Sequence, residues 1–197
     1  MAFFVLGIKA GPNGLALRHR TAPLRLSPGM RRIAVVRLEV APSDLDEVRL
    51  DEVVAAIRSE ALVAGVEGLQ VDFDANRSQR PLYRRLITKL RGDRAIKVPV
   101  TMTALASWCM GDRWIADLPV DGAVVMLFQM GQGTAEALAW LRRGRPLAGP
   151  LGKPLSWGFS IDQPLPVPPP ENARIFVFSP RPWTRATYTR AQFLVAK

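Results

Sequence analysis

Gly68-Leu69-Gln70-Val71-Asp72-Phe73-Asp74-Ala75-Asn76 places an amide and two carboxylates at every second position of an otherwise apolar run. Period two is the signature of a β-strand, because successive side chains leave a strand on opposite faces. Gln70, Asp72 and Asp74 therefore share one face, and Leu69, Val71 and Phe73 share the other. An edge strand with one wet face would read the same way. Here the run lies between two helical patterns and is followed at once by Ala-Asn-Arg-Ser and a new helix. That context makes it the strand of a βα unit, with the apolar face under helices and the acidic face turned into a barrel or cleft. An ionised carboxylate in such a place is costly to desolvate unless it is paired or used. The plainer alternative is that both aspartates sit at the wet end of the strand and only cap or form salt bridges.

Working upstream, residues 33–40 read as a strand with Val35, Arg37 and Glu39 on one face. Between the two strands, Asp44 or Asp46 can cap a helix from about residue 48 to 64. Its stripe is Val53, Ile57, Ala61 and Val63, and Gly65 stops it. At the amino terminus, residues 2–8 form a strand, and Gly11-Pro12-Asn13-Gly14 turns it into a second run over 15–20, a hairpin excursion.

Downstream, Ser78 is expected to cap a helix over 80–91 that buries Leu82, Leu86, Ile87 and Leu90. Residues 98–104 form the next strand, with Thr101 and Thr103 polar by alternation, and a short helix through Leu118 closes that unit. A strand over 122–128 and a helix from Gly133 or Thr134 to about Arg143 follow. Strands over 155–160 and 174–179 flank a stiff proline-rich loop over 163–170, and a last helix covers 190–195.

Strand and helix alternate without a sequence repeat, which admits an open doubly wound sheet or a closed barrel. Polar residues recur where the strands end: Glu39, Asp72, Asp74, Thr103, Gln129, Ser160 and Ser179. In a barrel those ends meet at one mouth. The reading is therefore an α/β protein, a TIM-type (β/α) barrel forming a single domain over 1–197, with the strand and hairpin in 1–32 and successive βα units in 33–197. Seven barrel strands can be counted, one fewer than closure needs. Either the first strand is missing from the chain as given, or the amino-terminal hairpin closes the gap.

Bulk properties narrow the function. With 197 residues and 48% hydrophobic content the chain can build a substantial core. No apolar run approaches the length of a membrane span, and the first nine residues lack a basic region before their apolar part, which is too short for an export signal with a cleavage site. A single cysteine, Cys109, rules out internal disulfides and thiolate metal clusters. The single histidine, His19, lies between two arginines with no nucleophile motif nearby, so Ser-His-Asp and Cys-His chemistry have no support. The net charge of +10 invites a nucleic-acid reading. Of the 27 basic residues, however, five are lysines and 22 are arginines scattered along the chain without interleaved aromatics. The expectation is no nucleic-acid partner and no cofactor.

The run Glu67-Gly68-Leu69-Gln70-Val71-Asp72-Phe73-Asp74 resembles the D-G-x-D-x-D-x-E strand of family 18 glycoside hydrolases, the chitinase-like barrels. Met126-Leu127-Phe128-Gln129 is similar to that family's M-x-Y-D at a later strand end. Asp74 stands where the family has its catalytic Glu, Gln70 where it has the first motif Asp, and Phe128 where it has the Tyr that bonds the substrate's N-acetyl group. These departures count against substrate-assisted chitin hydrolysis. A fuller resemblance, over essentially the whole chain, is to the bacterial family known as domain of unknown function 3142. It is carried by Val35-Val36-Arg37-Leu38-Glu39, residues 69–75, Thr103-Ala104-Leu105-Ala106-Ser107-Trp108 and residues 125–131. Members of that family carry a further aromatic-rich strand upstream of the point where this sequence begins. The resemblance implies a missing first strand, and a start of that kind would also hide an export signal.

Taken from the residues, the site is a general-acid site. Two carboxylates on one strand face, about 6 to 7 Å apart, repel when both are ionised and can share a proton. Asp74 is the expected proton donor and Asp72 the group that adjusts its charge, with Glu39 as the second carboxylate that glycoside hydrolysis needs. Arg37 could equally neutralise Asp72 and make the group structural. Gln70, Arg37, Asn76, Thr103, Trp108, Trp114, Met126, Phe128 and Gln129 are the expected substrate-binding residues, the two tryptophans as platforms for sugar rings or as core. The expected partner is a carbohydrate.

Three other readings compete. Val71-Asp72-Phe73-Asp74 with Gly111-Asp112 to Asp117 resembles a haloacid-dehalogenase phosphatase, though the Thr after D-x-D and the motif lysine are absent. Asp72, Asp74 and Glu39 could hold a divalent metal. A barrel that kept the acidic strand but lost turnover would be a carbohydrate-binding or structural module.

Overall fold

The computed structural model describes residues 1–21, 23, 29–41, 49–63, 65–164 and 166–195. Asp44 and Asp46, the expected caps of the first helix, lie outside them. The protein is an α/β chain with an eight-stranded, mostly parallel sheet and interspersed helices, the strands running in the order β2-β1-β3-β4-β5-β6-β7-β8. It divides into two compact units, Met1–Thr103 with Leu118–Asp121, and Ala104–Asp117 with Gly122–Lys197.

In the first unit, β1 (Ala2–Gly11) turns at Gly14, whose φ is 99°, and pairs antiparallel with β2 (Gly14–His19). Glycine takes this left-handed conformation without the steric cost that a Cβ brings. The hairpin is the expected excursion. β1 also pairs parallel with β3 (Ile33–Val40), β3 with β4 (Gly68–Asp72), and β4 with β5 (Val100–Leu105). Parallel neighbours need a crossover, and helices supply those from β3 to β4 and from β4 to β5, while the β1 to β3 connection passes through β2. α1 (Leu50–Ala56) runs into a π turn at Ile57–Ala61 before β4, and α2 (Arg80–Gly92) lies between β4 and β5.

Alternation sets the core. Leu6, Ile8, Ala34, Val36, Leu38, Leu69, Val71 and Phe73 are each at most 3% exposed on one face of the sheet. Val53, Ile57, Ala61, Leu82, Leu86, Ile87 and Leu90 on the helices are as fully buried. Tyr83 adds a ring edge-on to Phe73 at 5.2 Å and a hydroxyl that donates to Val71 O at 3.3 Å. Val63, expected in the helical stripe, is 52% exposed because the helix ends at Ala61 and leaves Val63 in the turn before Gly65. A residue two positions past the last helical turn no longer follows the 3.6-residue period. Gly65, with φ of 81°, is the stop.

The cap of α2 also differs from expectation. Asn76, not Ser78, begins the helical segment, with a 3-10 turn at Arg77–Gln79 leading into α2. Asn76 Oδ1 accepts from Gln79 N at 3.2 Å and Gln79 Oε1 accepts from Asn76 N at 2.8 Å, a reciprocal capping box. The Ser78 hydroxyl donates to Asn76 Oδ1 at 2.7 Å, supporting the cap without being it.

In the second unit, a 3-10 turn at Ala106–Cys109 is followed by irregular turns where a short helix to Leu118 was expected. β6 (Gly122–Met126), β7 (Leu155–Ser160) and β8 (Ile175–Phe178) pair in parallel, with α3 (Thr134–Arg142) between β6 and β7 and α4 (Arg185–Val195) after β8. α4 starts five residues earlier than the sequence suggests. Gly158 in β7 is required by crowding: a Cβ there would meet Val125 O and the Phe178 ring at 3.0 Å.

Candidate functional site

The face of the first unit's sheet opposite the helices carries the polar residues in rows set by parallel register. Val35, Gln70 and Thr101 form one row, and Gly7, Arg37 and Asp72 the next. Lys9 stands beside Glu39 one step nearer the strand ends. Period two in each strand and in-register pairing between them are sufficient to bring these side chains together.

Arg37 is the hub. Its Nε lies 3.4 Å from Glu39 Oε1, its Nη1 3.9 Å from Asp72 Oδ2 and its Nη2 4.0 Å from Asp74 Oδ2. Asp72 is fixed more tightly from the other side, where Thr103 Oγ1 donates to its Oδ1 at 2.7 Å. Glu39 is open to solvent, Asp74 half-exposed, and Asp72 only 20% exposed.

The electrostatics separate the acids. Removal from water raises the pKa of Asp74 above the usual carboxylate value of 3.8, and the charge of Asp72 raises it further; Arg37 opposes both only in part. A carboxyl in that state holds its proton at higher pH than a free one, as a general acid must. A cavity of about 320 Å³ opens here, lined by Lys9, Arg37, Glu39, Phe73, Asp74 and Gln79 among others.

Gln70 is a different matter. It shares the face of Asp72, yet it is 1% exposed, and neither its Oε1 nor its Nε2 has a hydrogen-bond partner among the described residues. The sequence reading makes this strand face polar; the structure makes its middle as dry as the core face.

Of the expected substrate-binding residues, Arg37 and Thr103 join the acids, and Asn76 is taken up by its cap. Trp108, Trp114, Met126, Phe128 and Gln129 belong to the second unit. Trp108 is 2% exposed and packs edge-on to Trp114 at 5.0 Å, so it is core and offers no free face for a sugar ring. Phe128 lies against Phe178 at 5.0 Å, and Met126 is partly buried in β6. Gln129 is exposed with a left-handed φ of 49°, and its backbone N donates to Gln163 Oε1 at 3.2 Å.

The divalent-metal reading of Asp72, Asp74 and Glu39 is not met: no group of three His, Cys, Asp or Glu among the described residues is placed to hold a metal ion. Instead the guanidinium of Arg37 comes within 4.0 Å of all three carboxylates. Cys109 is buried, which pushes its thiol up to about 12, so it is not a nucleophile at neutral pH.

Two participants escaped the sequence reading. Lys9 reaches the cavity from β1, and Gln79 lines it while its Nε2 donates to Val40 O at 2.6 Å. Lys9 had a signal, a charge on the same alternation as Gly7 within an apolar strand. Gln79 had only its place three residues after a capping Asn. No protein-family model, curated protein or solved structure matches the chain.

Proposed function

We propose that this chain is a glycoside-hydrolase-like (β/α) barrel that hydrolyses a glycosidic bond, with Asp74 as the proton donor. The observation that carries the reading is the raised proton affinity of Asp74 beside Asp72, at the rim of a cavity where parallel strands end. Protonated Asp74 delivers its proton to the departing glycosidic oxygen. Asp72, oriented by Thr103, supplies the negative charge that keeps that proton in place. Glu39 is the second carboxylate, acting on water or on the anomeric carbon from the other side. Arg37 limits the mutual repulsion of the three acids. The barrel form is supported by the parallel pairing of successive strands with intervening helices, and by the resemblance of residues 67–74 and 126–129 to chitinase-like barrels and of most of the chain to domain of unknown function 3142.

A second reading, carbohydrate binding without turnover, is favoured by Arg37, which lies within 4.0 Å of all three carboxylates and ties them into one ion-pair cluster. Asp74→Asn separates the two. A hydrolase loses about 10²- to 10⁴-fold in turnover and keeps its ligand. Wild type that binds glycans but releases no product from a broad oligosaccharide panel is a binding module, and wild type that binds none of them overturns both readings.

A further inference from the structure

The cavity beside Asp74 has a cation to spare. Arg37, one of its two lining cations, is already surrounded by Glu39, Asp72 and Asp74. Gln79, which could offer an amide, has its Nε2 committed to Val40 O at 2.6 Å. Lys9 is exposed, lines the same space, and stands in register with Glu39, yet it makes no ion pair or hydrogen bond among the described residues. Glu39 faces Arg37 instead, at 3.4 Å. An unpaired ammonium on a concave wall is a site for a negative group, because its charge is not already taken up by a carboxylate.

We infer that this cavity takes an anionic saccharide, whose negatively charged substituent, a carboxylate or a sulfate, pairs with Lys9. The inference rests on the carbohydrate reading above and names the class of sugar. Two features agree with it. The volume, about 320 Å³, is at the small end of ligand sites and suits a single ring with its substituent. The net charge of +10 draws anions toward the whole molecule and raises their local concentration. Lysine acts as a point charge without the planar fork of arginine, so this contact recognises charge and does not choose between carboxylate and sulfate.

The test is calorimetric titration of the full chain with three probes on one β-1,4-linked gluco backbone: cellotriose, sulfated cellotriose and the corresponding triuronic acid. The anionic probes bind about five- to tenfold more tightly than cellotriose at low salt, and the gap narrows in 0.5 M salt. Tight binding of only one of the two anions counts against recognition by the charge of Lys9. Lys9→Gln removes the preference, and Lys9→Arg, which keeps the charge, retains it. A wild type that binds cellotriose as tightly as the anionic probes, or a preference that survives Lys9→Gln, overturns the inference and leaves the carbohydrate reading standing. Failure to bind any of the three removes both.

Discussion

Thr103 Oγ1 and Asp72 Oδ1 are 2.7 Å apart, and this hydrogen bond is the one short contact that orients the acid at the centre of the site. Thr103 is 2% exposed, so no solvent replaces its hydroxyl from behind. Thr103→Val keeps the side-chain shape and the strand preference while deleting the donor. The expected cost is about 1–2 kcal/mol in urea unfolding, typical of a bond to a charged group that retains some access to water. Thr103→Ser keeps the donor and is expected to recover most of that stability.

Asp74 makes stability depend on pH. Its pKa is higher in the folded chain than the ordinary 3.8, so the folded state binds the proton more tightly than the unfolded state does. Stability from this group is therefore fullest below 3.8 and falls as pH rises through the folded value. Asp74→Asn, which cannot ionise, is expected to unfold at higher denaturant than wild type at pH 7, with the difference closing below the ordinary carboxyl range. Equal pH dependence in the two proteins would show that Asp74 is not perturbed.

Asn76 carries a cap. Asn76→Ala leaves Gln79 N without its acceptor and is expected to cost about 1 kcal/mol, read as a lower melting temperature. Asn76→Asp keeps the acceptor and the stability. If the alanine variant instead loses glycan affinity at unchanged stability, Asn76 is a ligand contact.

Gly158 is held bare by its neighbours. Gly158→Ala puts a methyl 3.0 Å from Val125 O and from the Phe178 ring, and the carbonyl cannot turn aside without breaking sheet pairing. Destabilisation by about 1–3 kcal/mol is expected in thermal or denaturant unfolding, as for other overpacked sites.

The fold was largely written in two periodicities. β7 over Leu155–Ser160 and the buried stripe of α2 follow from alternation and from the spacing of Leu82, Leu86, Ile87 and Leu90, where local pattern and burial agree. What stayed hidden depends on partners distant in sequence. Ser78 and Asn76 are both good caps, and only the 3-10 turn at Arg77–Gln79 decides between them. Val63 fits the helical stripe on paper, but the π turn ends the helix first. At the site, the face of Asp72 was legible, Asp74 lies just past the end of β4 and so outside the strand alternation, and the presence of Arg37 was legible too. Its contact with three acids at once was not, because register between strands fixes it and no single strand records register. Lys9 was missed for the same reason, and the choice left open for Trp108, core or sugar platform, falls to core because its ring is buried against Trp114.

Gln70 remains as a sealed amide whose oxygen and nitrogen find no protein partner among the described residues. A leucine of similar bulk would fill that place with nothing left wanting a hydrogen, and Gln70→Leu is expected to raise unfolding stability by about 1–2 kcal/mol. Gln70 does not line the cavity, so a dry slot one row below the acids can be refilled for rigidity while glycan affinity, read by calorimetry, stays as it was.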